Sequence, residues 1–494
     1  MPGKTWNRVD WLITAALFLG TFFLRIPFRT TMLYAWDSVL YTRAIERFDI
    51  TIEQPQPPGH IFYVGLVRLV NGVLGDPNAA MVWISIFSAA AAAAALYWLG
   101  RTMFGRDVGL VASLLLATSL SFWSQSEVAL PYTLLGFLSI AVAGMIYPAW
   151  RGGGGWVLPS ALALGLASGF RQDLLPFLLP LLAVASWNKG RWRLAGAVLM
   201  LAAGITAWYI PSALLSGGFG PYRQASAAQS DYLITWFSMF GRGGAALATN
   251  SYTLLRFLVY ALSAALLLVP VFMLLLFSSR KRRLLADRRL LFLAVWMAPS
   301  VLFYIFIHIG EFGYVFSFLP ALLLLLAWGL QSMTRQVRKI IWACVIPLLI
   351  VNLLMFLVLS PPLSANRLAA RDDILRSKIE TIRENFNPEP TLIISVFDYQ
   401  QASYYLPGFH QWNFDPSVDS KPVTALPEGV ERVVIFEEYL AAADAGNSLT
   451  LPLDRDQTLV YMEVAGRNME VAGRKSVRVD WDARKVYLGK EALP

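Results

Sequence analysis

Residues 56–75 read QPPGHIFYVGLVRLVNGVLG, and whether this stretch crosses a membrane decides the threading of everything after it. It is apolar enough to suggest a span. Yet it opens at Pro57-Pro58-Gly59, carries Arg68 in its middle, and as a span would invert every later loop. We read it as a helix lying in the outer headgroup plane, with Arg68 snorkelling to the polar side. Proline suits a first helical turn, where its missing N–H has no partner, so Pro-Pro-Gly is expected to turn the chain into that helix.

The rest of the chain supports a membrane setting. Its 494 residues are 56% hydrophobic and 15% charged, with mean hydropathy +0.53, which a water-soluble domain does not carry without exposing apolar surface. A polytopic α-helical membrane protein is expected, its 17 Trp and 19 Tyr suiting the interfacial belts. Apolar runs of near-spanning length fall at 11–28, 79–100, 108–124, 128–149, 155–170, 172–187, 194–214, 253–278, 289–308, 314–331 and 340–360. They predict about eleven transmembrane helices. The first, WLITAALFLGTFFL, lacks a small-residue cleavage site and is too long for a secretory signal. Cys344 is the one cysteine, which excludes an intrachain disulfide.

Charge gives an independent check on the threading. With a cytoplasmic N-terminus, the inner segments MPGKTWNR, RTMFGR, the Arg151 turn, WNKGRWR, SSRKRRLLADRR and QSMTRQVRK hold 17 Lys or Arg. The outer segments are near balance, as the positive-inside rule requires. A shift of one span destroys the bias. An odd number of spans then places the C-terminal region outside, in a multi-pass protein of the plasma or inner cell membrane. The net charge is explained by inner loops facing anionic lipid, and nothing supports nucleic-acid binding.

After Ser360-Pro361-Pro362 the composition changes: residues 365–494 carry 15 bases, 20 acids and no spanning run. The expected organisation is a transmembrane domain at 1–362, with interfacial helices in an outer loop at 29–78, and an extracytoplasmic soluble α/β domain at 363–494. NRLAARDDILRSKIETIREN has helical spacing at Leu368, Ile374, Leu375 and Ile379. TLIISVF, ERVVIFEE, TLVYMEV, KSVRVD and KVYLG read as strands. The aromatic run SVFDYQQASYYLPGFHQWNFD fits a strand and loop of the core better than a sugar-binding surface.

Several polar residues fall on the outer face. Asp37 follows the first span between Trp36 and Tyr41, Glu127 sits in a tight turn with Ser124, Gln125 and Ser126, and His60 precedes the interfacial helix. Carboxylates this close to a membrane are costly unless solvated, paired or used. Asp37 as a solvated loop acid, Glu127 as a helix N-terminal acid and Arg171 paired with Asp173 are the bland readings. His308 and Glu311, three residues apart, could hold a metal, but no third ligand is evident. A set drawn from separate spans onto one face is what an extracytoplasmic active site needs.

The order WDSVLYTRAIE, QPPGHIFYVGLVRLVNGVLGDPNAA, FWSQSEVALPYTLLGFL, ASGFRQDLLPFLLPLL and HIGEFGYVFSFLPALLLL resembles the GT-C glycosyltransferases. Within them it is most similar to the protein O-mannosyltransferase-like branch, glycosyltransferase family 39, over roughly residues 10–330. The family often carries Asp-Glu with a Tyr three residues on, where this chain has Asp37-Ser38 and Tyr41. Many relatives place Asp immediately before the second-loop proline, where this chain has Leu130 before Pro131 and Glu127 nearby. The resemblance implies sugar transfer, with inversion, from a polyprenyl-phosphate donor to a protein, lipid or glycan acceptor on the outer face. It leaves a divalent metal open, since some members use one and others do not.

A polyprenyl-phosphate sugar already has a good leaving group, so the enzyme needs a base for the acceptor hydroxyl and cations for the departing phosphate. Asp37 is the candidate base, with Glu127 in the second acidic role. Arg171 is the candidate phosphate clamp, because a guanidinium matches phosphate oxygens bidentately. His60, His308, Glu311 and Tyr41 are candidates for holding phosphate or sugar. A transporter or lipid flippase suits many spans equally, although no half-to-half similarity is visible and the acids lie at the outer boundary rather than mid-span. A non-catalytic scaffold is the third class, which the Ser38 departure would suit.

Overall fold

The structure, a computed structural model, describes residues 7–276, 287–334, 337–395, 397–413, 429–430 and 432–436, together with the backbones of strands at 458–462, 469–470, 477–480 and 485–488. Most of the basic loop SSRKRRLLADRR, expected on the inner side, and of the duplication MEVAGRNMEVAGR at 462–474 lies outside the described residues. The chain divides into two compact units, Met1–Thr30 with Tyr41–Leu368, and Thr31–Leu40 with Ala369–Pro494.

The first unit is helical. Helix α1 (Arg8–Arg25) opens with a capping box in which Asn7 and Asp10 each accept the other's backbone N–H. Helix Pro77–Met103 opens with proline at its first position and the Asp76 carboxylate accepting the N–H groups of Asn78 and Ala79. Each apolar run holds a helix, but only seven described segments are long and apolar enough to cross a membrane: Arg8–Phe28, Pro77–Met103, Tyr132–Trp150, Arg191–Leu215, Met239–Leu275, Arg288–Phe306 and Arg338–Leu357. The other four helices, Arg106–Thr118, Val157–Ala167, Leu174–Ser186 and Leu319–Met333, have 11 to 15 residues. At about 1.5 Å per residue they fall short of a hydrocarbon core about 30 Å thick. Polar turns cut into what hydropathy joins, at residues 119–131, 168–173 and 307–318. Those turns carry Glu127, Arg171 and His308.

Helix α2 (Trp36–Glu46) and helix α3 (Ile61–Leu74) follow α1. In α3, Tyr63, Val64 and Val67 are buried while Leu69 and Val73 are 74% and 86% exposed, the two-faced pattern of a helix lying along an interface. One expectation needs correction, the place of the prolines. Arg68 is exposed, and its Nε donates to the Ile45 carbonyl at 2.8 Å and its Nη2 to that of Ala44 at 3.4 Å. It closes the C-terminal end of α2, whose last carbonyls have no intrahelical partners. Helix α3 begins at Ile61, after His60, so the prolines precede it. Helix Phe219–Phe237 was not expected either, because it is too polar for a hydropathy reading and buries only Tyr222.

The second unit is an α/β fold. Strands β1 (Thr391–Ser395), β2 (His410–Asn413), β3 (Arg432–Ile435), β4 (Thr458–Met462) and β5 (Met469–Glu470) form one sheet in the order β2-β1-β3-β4-β5. The first four are parallel and β5 is antiparallel. Strands β6 (Val477–Asp480) and β7 (Lys485–Leu488) pair as a separate antiparallel ribbon. The five expected strands are present; β2 lies in the aromatic run and β5 has only two residues. Leu375, Ile379 and Ile382 of helix Ala365–Asn385 pack with Ile393, Ala402, Val434 and Phe436. Met32, from the loop after α1, is built into the same core.

Candidate functional site

A buried guanidinium is costly to desolvate unless charges and rings surround it. Arg171 is 7% exposed, in the turn between Val157–Ala167 and Leu174–Ser186. Its Nη2 meets Asp173 Oδ2 at 3.0 Å, so the bland pairing exists. Its Cζ also lies 5.2 Å from the Tyr132 ring centre and 5.6 Å from that of Tyr314, within cation–π range. The two tyrosines are 5.7 Å apart. Tyr132 opens helix Tyr132–Trp150, and Tyr314 stands in the 3₁₀ turn Phe312–Ser317, where the Tyr304 hydroxyl donates to its carbonyl at 2.8 Å. Gly313 lets Tyr132 lie against that turn: a Cβ there would overlap the tyrosine ring and its stem.

The Pro-Pro-Gly turn meets the same group. Gln172 Nε2 donates to the Gly59 carbonyl, and the Tyr222 hydroxyl donates to that of Pro58 at 2.8 Å. Gly59 has φ +79°, and a Cβ would come within 2.8 Å of Phe48 and Ile50, so only glycine fits. The turn delivers His60, buried, with Nδ1 2.8 Å from the Tyr41 hydroxyl. Burial, and then the Arg171 charge, hold His60 well below its ordinary pKa. It is neutral at pH 7, and Tyr41 packs edge-on against Tyr63 at 4.9 Å. His308 joins through Tyr314, 6.0 Å away ring to ring. Burial lowers its pKa to about 4, and its Nδ1 has no hydrogen-bond partner.

Of the residues expected from sequence, the structure therefore gathers Tyr41, His60, Arg171 and His308. Glu127 is fully buried, its carboxylate oxygens make no hydrogen bond of good geometry, and the Trp123 side chain favours its charged form only weakly. Burial pushes its pKa well above the usual carboxylate range, against the pull of Arg25. Glu311 is exposed and precedes the Phe312–Ser317 turn. Among the described residues no three His, Cys, Asp or Glu side chains gather in a way that could hold a metal ion. Asp37 is half-buried in the first turn of α2, where free helical N–H groups favour an anion. Tyr41 follows it by four residues on that helix, a spacing that shares one face. Sequence reasoning missed Tyr132, Tyr314, Gln172 and Arg25. The signals were tyrosines directly after Pro131 and three residues after Glu311, and an arginine at the C-terminal end of the apolar helix Arg8–Arg25.

Comparison with known proteins agrees with the resemblance. The family described as dolichyl-phosphate-mannose-protein mannosyltransferase matches residues 56–215, which include the Pro-Pro-Gly turn, Glu127 and Arg171. No curated protein matches the chain. Among solved structures, ArnT from Cupriavidus metallidurans bound to undecaprenyl phosphate is similar with TM-score 0.56 and 14% identity, covering 98% of each chain. The Archaeoglobus fulgidus oligosaccharyltransferase in its apo form has TM-score 0.52 and 15% identity, covering 84% of this chain and 65% of that one. The chain has the fold of the GT-C glycosyltransferases, a polytopic helical membrane part with a small C-terminal sheet.

Proposed function

We propose that this protein is a glycosyltransferase that moves a sugar from a polyprenyl-phosphate carrier to an acceptor on the outer face of the membrane. The observation that carries the reading is the buried Arg171 cluster: one guanidinium against two tyrosine rings, with the neutral His60–Tyr41 pair beside it. Desolvated cations of this kind compensate charge that develops during reaction, because little water is present to screen them. The family match over residues 56–215 and the undecaprenyl phosphate bound in the similar ArnT support phosphate as the group that Arg171 meets.

In this reading Asp37 takes the proton of the acceptor hydroxyl as its oxygen attacks the anomeric carbon from the side opposite the phosphate. The bond from that carbon to the phosphate oxygen breaks, and polyprenyl phosphate departs with its charge held by Arg171 through charge-assisted hydrogen bonds. His60 and Tyr41 orient the donor, and His308 offers its Nδ1 to phosphate or sugar. Glu127, its pKa raised by burial, takes the second acidic role. The charge bias supports a cytoplasmic N-terminus and an extracytoplasmic domain after residue 362.

The test is turnover in nanodiscs with a panel of polyprenyl-phosphate sugars, following release of free polyprenyl phosphate by mass spectrometry. Loss of a general base costs about 10²–10⁴-fold, so folded Asp37→Asn should fall by that amount. Wild-type-like turnover in that variant would remove Asp37 from the mechanism.

A further inference from the structure

The C-terminal α/β unit contains a piece of the first outer loop, and the contacts that hold it are specific. Asp372, on helix Ala365–Asn385, is 8% exposed. Its Oδ2 accepts the backbone N–H of Thr31 at 2.9 Å and the Thr31 hydroxyl at 2.6 Å, while its Oδ1 accepts the N–H of Met32 at 2.8 Å. Arg376, one turn along, pairs with the same carboxylate at 3.2 Å and also donates to the Thr31 hydroxyl. The next N–H, that of Leu33, donates to the Tyr405 hydroxyl at 2.9 Å. The Arg371 guanidinium lies 6.0 Å from the Tyr34 ring centre, and Trp36 meets Tyr399 with ring centres 6.0 Å apart. Met32 enters the core beside Leu375 and Ile379.

Three consecutive backbone donors are thus bound by side chains that come more than 300 positions later in the chain, and the last of them, Leu33, comes four residues before Asp37. Charged acceptors on backbone N–H groups are among the stronger hydrogen bonds, and a carboxylate spanning two successive N–H groups fixes their direction as well as their place. Ser38 finishes the turn, its hydroxyl 3.3 Å from the Ala35 N–H and its own N–H 3.0 Å from the Ala35 carbonyl. That use of the hydroxyl gives a local reason for serine at position 38.

We propose that Asp372 and Tyr405 are positioning residues for sugar transfer, and that the C-terminal domain serves as the mount that sets the start of α2 and with it the Asp37 carboxylate. The inference rests on Asp37 being the base. It gives the domain a role in the chemical step, distinct from acceptor recognition. A base displaced by about an ångström loses rate rather than donor affinity, because proton transfer needs alignment that binding does not.

The experiment compares wild type, Asp372→Asn, Tyr405→Phe and Asp37→Asn in nanodiscs, using the polyprenyl-phosphate sugar that wild type turns over. Both positioning variants should lower kcat about tenfold or more with the donor KM within about twofold, and the amides of Thr31, Met32 and Leu33 should exchange with deuterium faster. Tyr405→Phe removes a single hydroxyl and keeps the ring, so it remains informative if Asp372→Asn folds poorly. Wild-type kcat in folded Tyr405→Phe and Asp372→Asn, with Asp37→Asn inactive, would overturn this inference alone. Full activity of Asp37→Asn would overturn the base assignment and this inference together.

Discussion

Two buried carboxylates in the membrane unit are opposites. Asp10, near the start of α1, is fully buried and fully engaged: the Tyr97 hydroxyl reaches it at 2.9 Å, Arg101 at 2.7 Å, Arg106 at 2.9 Å and the Asn7 N–H at 3.1 Å. It ties α1 to Pro77–Met103 and Arg106–Thr118. Glu127, on the turn after Arg106–Thr118 and Leu120–Ser124, is equally buried but makes no well-formed hydrogen bond on either oxygen, with only the Trp123 side chain and the Arg25 and Arg29 charges favouring its ionised form. The nearby Arg25 donates instead to Ser126 Oγ at 2.7 Å, the Thr21 carbonyl at 3.2 Å and the Ala117 carbonyl at 2.9 Å. Low polarity strengthens a satisfied network and penalises an unsatisfied group. The first acid braces the fold; the second is a cost that a purely structural position has no reason to keep.

The comparison predicts opposite stability effects. Asp10→Ala leaves Arg101 without its carboxylate while the half-exposed Arg106 can turn to water, and losing hydrogen bonds to a charged partner costs about 1.5–3 kcal/mol. The thermal melt in detergent should drop more than for any other variant discussed, while the surviving folded protein keeps its turnover. A wild-type melt would show that the bracing is redundant.

Glu127→Gln should behave in reverse. Folding raises the Glu127 pKa, so its contribution to stability is full below the ordinary value of 4.5 and is lost as pH rises toward the folded value. The amide carries no such dependence. Its melt should match or exceed that of wild type, by a margin that grows from pH 4.5 upward, while turnover falls. A melt lowered as far as that of Asp10→Ala would place Glu127 among the bracing residues.

Much of this was legible in the sequence because it depends on composition. The apolar runs, the two-faced α3 and the five strands follow from residue type and period. Helix lengths were less legible: hydropathy averages across Ser119 and across Gly169–Asp173, and so merges short helices with the polar turns that end them. Arg171 could be named because an arginine stands out in the turn between two apolar runs and a guanidinium suits phosphate. Its ring partners Tyr132 and Tyr314 could not, since they lie 39 residues before and 143 after it and only packing joins them. The capture of residues 31–40 by the C-terminal unit was invisible for the same reason, as Asp372 reads in sequence as one more acid on a solvated helix.

The most direct test of the central claim, that Arg171 forms the seat of a lipid phosphate, is the affinity of purified protein for undecaprenyl phosphate by native mass spectrometry. Wild type, Asp37→Asn and Arg171→Gln are compared, each shown to be folded by its melt. The account predicts that Asp37→Asn binds as wild type does and that Arg171→Gln binds at least about tenfold more weakly, the loss of a charge-assisted hydrogen bond being worth about 1.5–3 kcal/mol. Equal binding by wild type and Arg171→Gln would contradict it.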